Sequence, residues 1–145
     1  MGGGAGALPL GIPLIRLGLA VQAMTAGDKI LGARLRIVLA PDIAIGPGKA
    51  DLLQGIQETG SIAAAGRRMG MSYKRAWYLV ETMNGHFVGP LVTASKGGPK
   101  GGGAALTDLG EEVLQSYRRM EQRTHRAIAT EIERLRALLD ISVRK

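Results

Sequence analysis

The sequence contains no cysteine, which excludes disulfide bridges and thiolate metal sites and fits a reducing cytoplasm. Histidine is nearly as scarce. His86 and His125 are far apart and stand in no metal-binding spacing such as H-E-x-x-H. There is no uninterrupted apolar run of about 18 residues, so neither a transmembrane helix nor a membrane partner is expected. Aromatic side chains number five in 145 residues, and four of them, Tyr73, Trp77, Tyr78 and Phe87, crowd into one stretch. No Ser–His–acid or paired-carboxylate arrangement can be nominated from spacing. GGPKGGGAA, at residues 97–105, lacks the Lys-Ser or Lys-Thr pair with which a phosphate loop opens its helix. An enzyme is therefore not expected, nor a cofactor.

Negative charge is also short. Nineteen Lys and Arg face twelve Asp and Glu, a formal net charge of +7 with a pI near 10.3. Such an excess favours polyanionic partners, nucleic acid before anionic membrane. The basic residues between Ser61 and Gly103 are Arg67, Arg68, Lys74, Arg75, Lys96 and Lys100, against Glu81 alone, so this stretch holds +5 of the +7.

Taken in order, residues 1–32 read as a flexible tail or an upstream extension of the reading frame, with Met24 as an alternative start. Pro9, Pro13 and Arg16 interrupt the apolar run, and no basic segment opens it as in a signal peptide. In RLRIVLA, Leu35, Ile37 and Leu39 alternate with Arg34, Arg36 and Val38, the period of a half-buried strand. Pro41-Asp42 turns the chain towards a short second strand at Ile43 and Ile45. A first helix is expected from about Gly48 to Glu58, with Leu52, Leu53 and Ile56 inside and Gly60 ending it in a positive-φ position. Ser61 then caps a second helix through Met69, whose alanines 63–65 let another helix come close. Gly70 makes a turn, and Ser72 caps a third helix.

On that third helix, steps of 100° put Tyr73, Ala76, Trp77, Val80, Met83 and Phe87 on one side, read as core. Lys74, Arg75, Tyr78 and Thr82 fall on the other. Leu91 to Ala94 and Ala104 to Leu106 can pair as a β-hairpin around a glycine-rich tip. Thr107 caps a long helix running to about Asp140. Its stripe of Leu109, Val113, Tyr117, Met120, Thr124, Ile128, Ile132, Leu135 and Leu139 exceeds what so small a domain can cover, so pairing with a second copy is expected. The alternative, a helix lying back on its own domain, suits the first half, up to about Met120. Beyond it Arg118, Arg119, Arg123, Arg126, Arg134 and Arg136 face Glu121, Glu131 and Glu133 as a solvated surface.

These features converge on double-stranded DNA. A helix fits the major groove and its exposed N-terminal residues reach base edges first. Here those are Tyr73, Lys74 and Arg75, with Tyr78 one turn on. Arg75 suits bidentate pairing with guanine, and Lys74 suits a phosphate. Ser61 and Ser72 stand at helix N-termini, where backbone N–H groups favour phosphate. The hairpin would lie along the backbone or minor groove, with Lys96 and Lys100 supplying charge.

GSIAAAGRRMGMSYKRAW, followed by Met83-Asn84 and then GGPKGGGAALTDLG, resembles the N-terminal winged-helix domain of ModE-type molybdate-responsive transcription regulators. IAIGPGKADLL before it is similar to that family's strand-to-helix entry, and the resemblance covers about residues 33–127. It is more distantly similar to the LysR-type helix–turn–helix. The resemblance implies a mainly α fold with a small β-hairpin wing: a winged helix-turn-helix at 33–106 and a long C-terminal dimerisation helix at 107–145. It implies a cytoplasmic homodimer that binds a palindromic operator, with the third helix in the major groove. The sequence stops at Lys145 without a counterpart of the family's molybdate-binding domains, so a small-molecule effector is not expected to bind this chain. Two other readings stay open: a non-specific nucleic-acid-binding or architectural protein, and a protein-interaction adaptor.

Overall fold

A computed structural model describes residues 32–95 and 103–140. The first strands, β1 (Ile37–Ala40) and β2 (Ile43–Ile45), form an antiparallel pair in which Ile37 faces Ile45 and Val38 faces Ala44. The register shifts between Val38 and Ala40. An extra residue on one strand of a pair breaks the two-residue alternation, and Leu39 is consequently exposed, contrary to the strand reading that put it with Leu35 and Ile37.

Helix α1 (Pro47–Thr59) begins one residue before the expected start, with proline in its first turn where no N–H is missed. It buries Leu52, Leu53 and Ile56 completely, each worth about 1.5–3 kcal/mol of transfer from water. Gly60 ends it at φ 71°, a conformation that a side chain would oppose. Helix α2 (Ile62–Arg68) starts at Ser61, whose Oγ accepts from the Ala64 N–H, and α3 (Tyr73–His86) starts at Ser72, whose Oγ accepts from the Arg75 N–H. Gly70, at φ 72°, makes the turn between them.

The three helices touch almost backbone to backbone. A Cβ on Gly55 of α1 would lie 2.9 Å from the Ala65 Cβ of α2, and one on Gly66 of α2 would lie 2.9 Å from the Ala76 Cβ of α3. The small side chains of α2 thus do what the alanine run suggested.

After α3 comes the antiparallel hairpin of β3 (Val92–Ala94) and β4 (Ala104–Leu106), in register Val92–Leu106. Thr107 caps helix α4 (Asp108–Ala127), its Oγ accepting from the Gly110 N–H. The long helix is then interrupted at Ile128 (φ −106°, ψ 9°) before α5 (Ala129–Ala137), where one continuous rod to Asp140 was expected. The interruption falls where tertiary support ends. Leu114 and Tyr117 are buried, and Leu109, Val113 and Met120 pack against the same core. Helix α5 buries nothing. The half of the stripe up to Met120 therefore does lie back on its own domain. The described residues are mostly helical with small antiparallel hairpins, and none of their helices is long and apolar enough to cross a membrane.

One part of the charged surface is not solvated as expected. Arg118 of α4 donates from Nε and Nη2 to the Gln54 Oε1 at 3.0 and 2.7 Å, and from Nη2 to Asp51 at 2.8 Å, both on α1. It also reaches Glu121 at 2.9 Å. Burial alone would lower the pKa of this guanidinium, but the hydrogen bonds to Asp51 and Glu121 outweigh it and the net shift is upward. Next to it the Tyr117 hydroxyl donates to the Leu35 carbonyl at 2.7 Å, fixing the approach to β1 against α4.

Candidate nucleic-acid interface

Helix α3 divides into two faces at its second turn. Ala76, Val80 and Met83 are buried, and Trp77, Leu79 and Phe87 pack partly against the core. Trp77 thereby takes the packing role rather than standing out as a stacking platform. Its Nε1 is shielded from water and has no hydrogen-bond partner among the described residues.

Tyr73 is a correction. The residue is 59% exposed, not core. Residues 72–75 are all exposed, and Ala76, against Gly66 of α2, is the first buried residue of α3. Tyr73 instead meets Trp77 edge to face, ring centroids 6.1 Å apart at 74°.

Lys74 and Arg75 are exposed in that same turn, and Tyr78 follows with 58% of its surface free. The Arg75 guanidinium lies 5.7 Å from the centre of the Tyr78 ring, within the range of a cation–π contact worth about 0.5–1 kcal/mol at an exposed site. That contact narrows the rotamers of the arginine before any partner arrives. Four of the expected residues, Tyr73, Lys74, Arg75 and Tyr78, are thus exposed around one helix start, the last three on its outer side and Tyr73 on the side of Trp77.

The two serines divide. Ser72 is exposed at the head of α3, where its oxygen holds the Arg75 N–H at 3.0 Å. Ser61 is half-buried at the head of a helix of seven residues, its oxygen spent on Ala64. It stands less open to a partner than Ser72 does. Lys96 and Lys100 lie outside the described residues.

Two residues that matter here escaped the sequence reading of faces. Arg68, counted there with the basic surface, pairs with Glu58 of α1, which leaves Arg67 and the start of α3 to set the local field. Asn84, in the last turn of α3, grips the root of the hairpin. Its Oδ1 accepts from the N–H groups of Leu91 and Val92 at 2.8 and 3.0 Å, and its Nδ2 donates to the Val92 carbonyl at 3.0 Å. A polar residue interrupting the apolar side of a helix, one turn before the chain reverses, is the signal that could have found it.

Among the described residues no three His, Asp or Glu come together in a way that could hold a metal ion. What the surface offers is positive charge and aromatic edges on one exposed helix start, on a helix whose last turn holds the root of a hairpin. That is chemistry for recognising an extended polyanion.

No protein-family model matches the chain. Curated relatives do. The chain is 40% identical over 103 residues to the molybdenum-pterin-binding protein MopB of Rhodobacter capsulatus, which covers 71% of this chain and 38% of that one. It is 41% identical over 88 residues to the transcriptional regulator ModE of Haemophilus influenzae, 61% of this chain and 34% of the relative. With the DNA-binding transcriptional dual regulator ModE of Escherichia coli K12 it shares 36% identity over 83 residues, 57% of this chain and 32% of the relative. The resemblance to ModE-type proteins is therefore shown, and it lies in a segment: the chain spans under two fifths of the length of these relatives.

Proposed function

We propose that this chain is a sequence-specific, DNA-binding transcription regulator of the ModE type, linked to molybdenum metabolism and acting as a homodimer. The observation that carries the reading is the outer side of the α3 start, where Lys74, Arg75 and Tyr78 stand exposed on a helix otherwise anchored in the core. The names of the relatives, regulators among them, support the same direction.

In this reading residues 33–106 are a winged helix-turn-helix: α2 and α3 form the helix–turn–helix, and the β3–β4 hairpin is the wing. Arg75, steadied by Tyr78, takes the two acceptors of a guanine in the major groove, while Lys74 and Ser72 hold phosphates on either side. Tyr73 offers its ring edge and hydroxyl to the backbone or a base. Lys96 and Lys100 belong to the wing tip. Residues 107–140 pair two copies through the side of α5 and its end that the domain leaves open, where Leu135 on the helix and Leu139 just beyond it are exposed. Two reading helices related by a dyad then select a site with two half-sites spaced by about one helical turn, roughly 34 Å.

The test is selection of duplexes from a random library by the full chain. The expected result is one enriched palindromic motif whose binding weakens steeply with salt. Equal recovery of all sequences would leave only a non-specific binder, and no recovery at any salt would favour the adaptor reading.

A further inference from the structure

Besides the packing of Leu91 and Val92 in the core, hydrogen bonds among the described residues fasten the hairpin at three places. The Ala104 N–H donates to the Gly60 carbonyl at 2.9 Å, joining β4 to the end of α1. Thr107, at the head of α4, donates from its N–H to the Leu91 carbonyl at 2.9 Å and from Oγ1 to the Pro90 carbonyl at 2.7 Å. The third fastening is Asn84. It alone among these anchors sits on α3, the helix that carries Lys74, Arg75 and Tyr78.

The Asn84 contact is a matched one. Its carboxamide oxygen spends both lone pairs on consecutive N–H groups, Leu91 and Val92, and its NH2 group returns a bond to the Val92 carbonyl. Three bonds on one rigid planar group fix both the distance and the angle of the strand root relative to the helix. The burial of Leu91 and Val92 and the other two anchors hold the hairpin on the domain; the three Asn84 bonds tie its root to α3 itself. The site is half-buried, so water competes poorly for these groups.

We infer that Asn84 is the positioning residue that sets the hairpin at a fixed angle to α3, so that the helix and the hairpin engage one nucleic-acid duplex together. This inference rests on the DNA reading above. It assigns Asn84 no contact with DNA. Its effect is on the part of binding that comes from the hairpin, which is sequence-independent, and not on the base preference set by Arg75.

Two substitutions separate that role from bulk stability. Asn84→Leu keeps the shape and loses all three bonds. Asn84→Asp keeps an acceptor for both N–H groups but sets a carboxylate oxygen against the Val92 carbonyl, turning that one bond into a repulsion. The probes are the duplex enriched by the wild-type full chain from a random library and a scrambled version of it, each titrated between 50 and 200 mM KCl.

For Asn84→Leu the expected result is roughly a tenfold loss on both duplexes, with a selected-to-scrambled ratio within about twofold of wild type. The salt slope should fall by about one to two units, as one or two phosphate contacts are given up. Asn84→Asp, which keeps two of the three bonds at the cost of that repulsion, should lose less than Asn84→Leu on both duplexes. The inference is overturned if Asn84→Leu binds as wild type does, if its salt slope is unchanged, or if the Leu and Asp variants lose affinity equally.

If Asn84→Leu does not fold, amide exchange on the wild-type protein decides. Leu91 and Val92 amides as protected as that of Val80 in α3, and slowed further by the selected duplex, support the inference, and exchange at open-chain rates overturns it. Failure of the DNA reading has a different signature: the wild-type chain itself enriches no duplex, and the inference falls with it.

Discussion

The two halves of the C-terminal helical segment carry the same three- and four-residue spacing of apolar side chains and meet opposite fates. In α4, Leu114 and Tyr117 are buried against α1 and the approach to β1. In and just beyond α5, Leu135, Leu138 and Leu139 are 61%, 61% and 53% exposed. Spacing alone makes a helix amphipathic; whether its apolar side is covered depends on what lies opposite. For α4 the cover is within the chain. For α5 the described residues offer none, and in our reading a second copy supplies it.

The most severe way to break the supported half is at its first turn. A side chain on Gly110 would run into the Leu91 carbonyl, a backbone group that cannot step aside. Gly110→Val should cost at least about 3 kcal/mol and leave little folded protein, read as loss of a cooperative thermal transition by circular dichroism. The next change sharpens the contrast itself. Leu114→Ala should destabilise by about 2–5 kcal/mol at any protein concentration. Leu135→Asp should change the stability of a single copy by less than about 0.5 kcal/mol. Its effect should appear instead as dissociation of the dimer in sedimentation equilibrium. A wild-type chain that sediments as a monomer at every concentration would remove α5 from the account.

Arg118→Met tests the tie between α4 and α1 with little change in bulk. It leaves Asp51 and Gln54 without their partner, and chemical denaturation should show a loss of about 1–2 kcal/mol.

A smaller effect comes from pH. Burial, with Glu121 adding in the same direction, holds the Tyr117 hydroxyl above its ordinary value of 10.0. The folded state then keeps this proton when the unfolded chain gives it up. The stability it contributes is fully present below pH 10 and falls as pH rises beyond it, by at most about 1.4 kcal/mol per pH unit. Tyr117→Phe should flatten that alkaline decline.

The contrast between the halves also shows which features a sequence discloses. Gly60, Ser61, Ser72 and Thr107 were legible because a cap or a positive-φ turn is chemistry between residues a few places apart, and the structure has all four in those roles. The packed face of α3 from Ala76 onward was legible for the same reason, helical periodicity being local. Tyr73 was misplaced because periodicity cannot tell where along a helix the neighbouring element begins. Arg118 was read as solvated because its partners Asp51 and Gln54 lie more than 60 residues away in sequence. Leu39 left its face through a register shift that no alternation pattern announces. Asn84 was visible as a residue and silent as a role, since its partners appear only when the hairpin root folds back onto α3.

The central claim is that the outer side of the α3 start reads bases, and Arg75→Ala tests it most directly. The measurement is the ratio of affinities for the selected duplex and its scrambled version, at one fixed salt concentration, for wild type and variant. A bidentate arginine–guanine contact is worth about 1–3 kcal/mol of discrimination. The ratio should therefore fall by roughly tenfold or more, mostly through loss on the selected duplex. An unchanged ratio, with affinity reduced equally on both duplexes, would reduce Arg75 to one more positive charge and contradict the account.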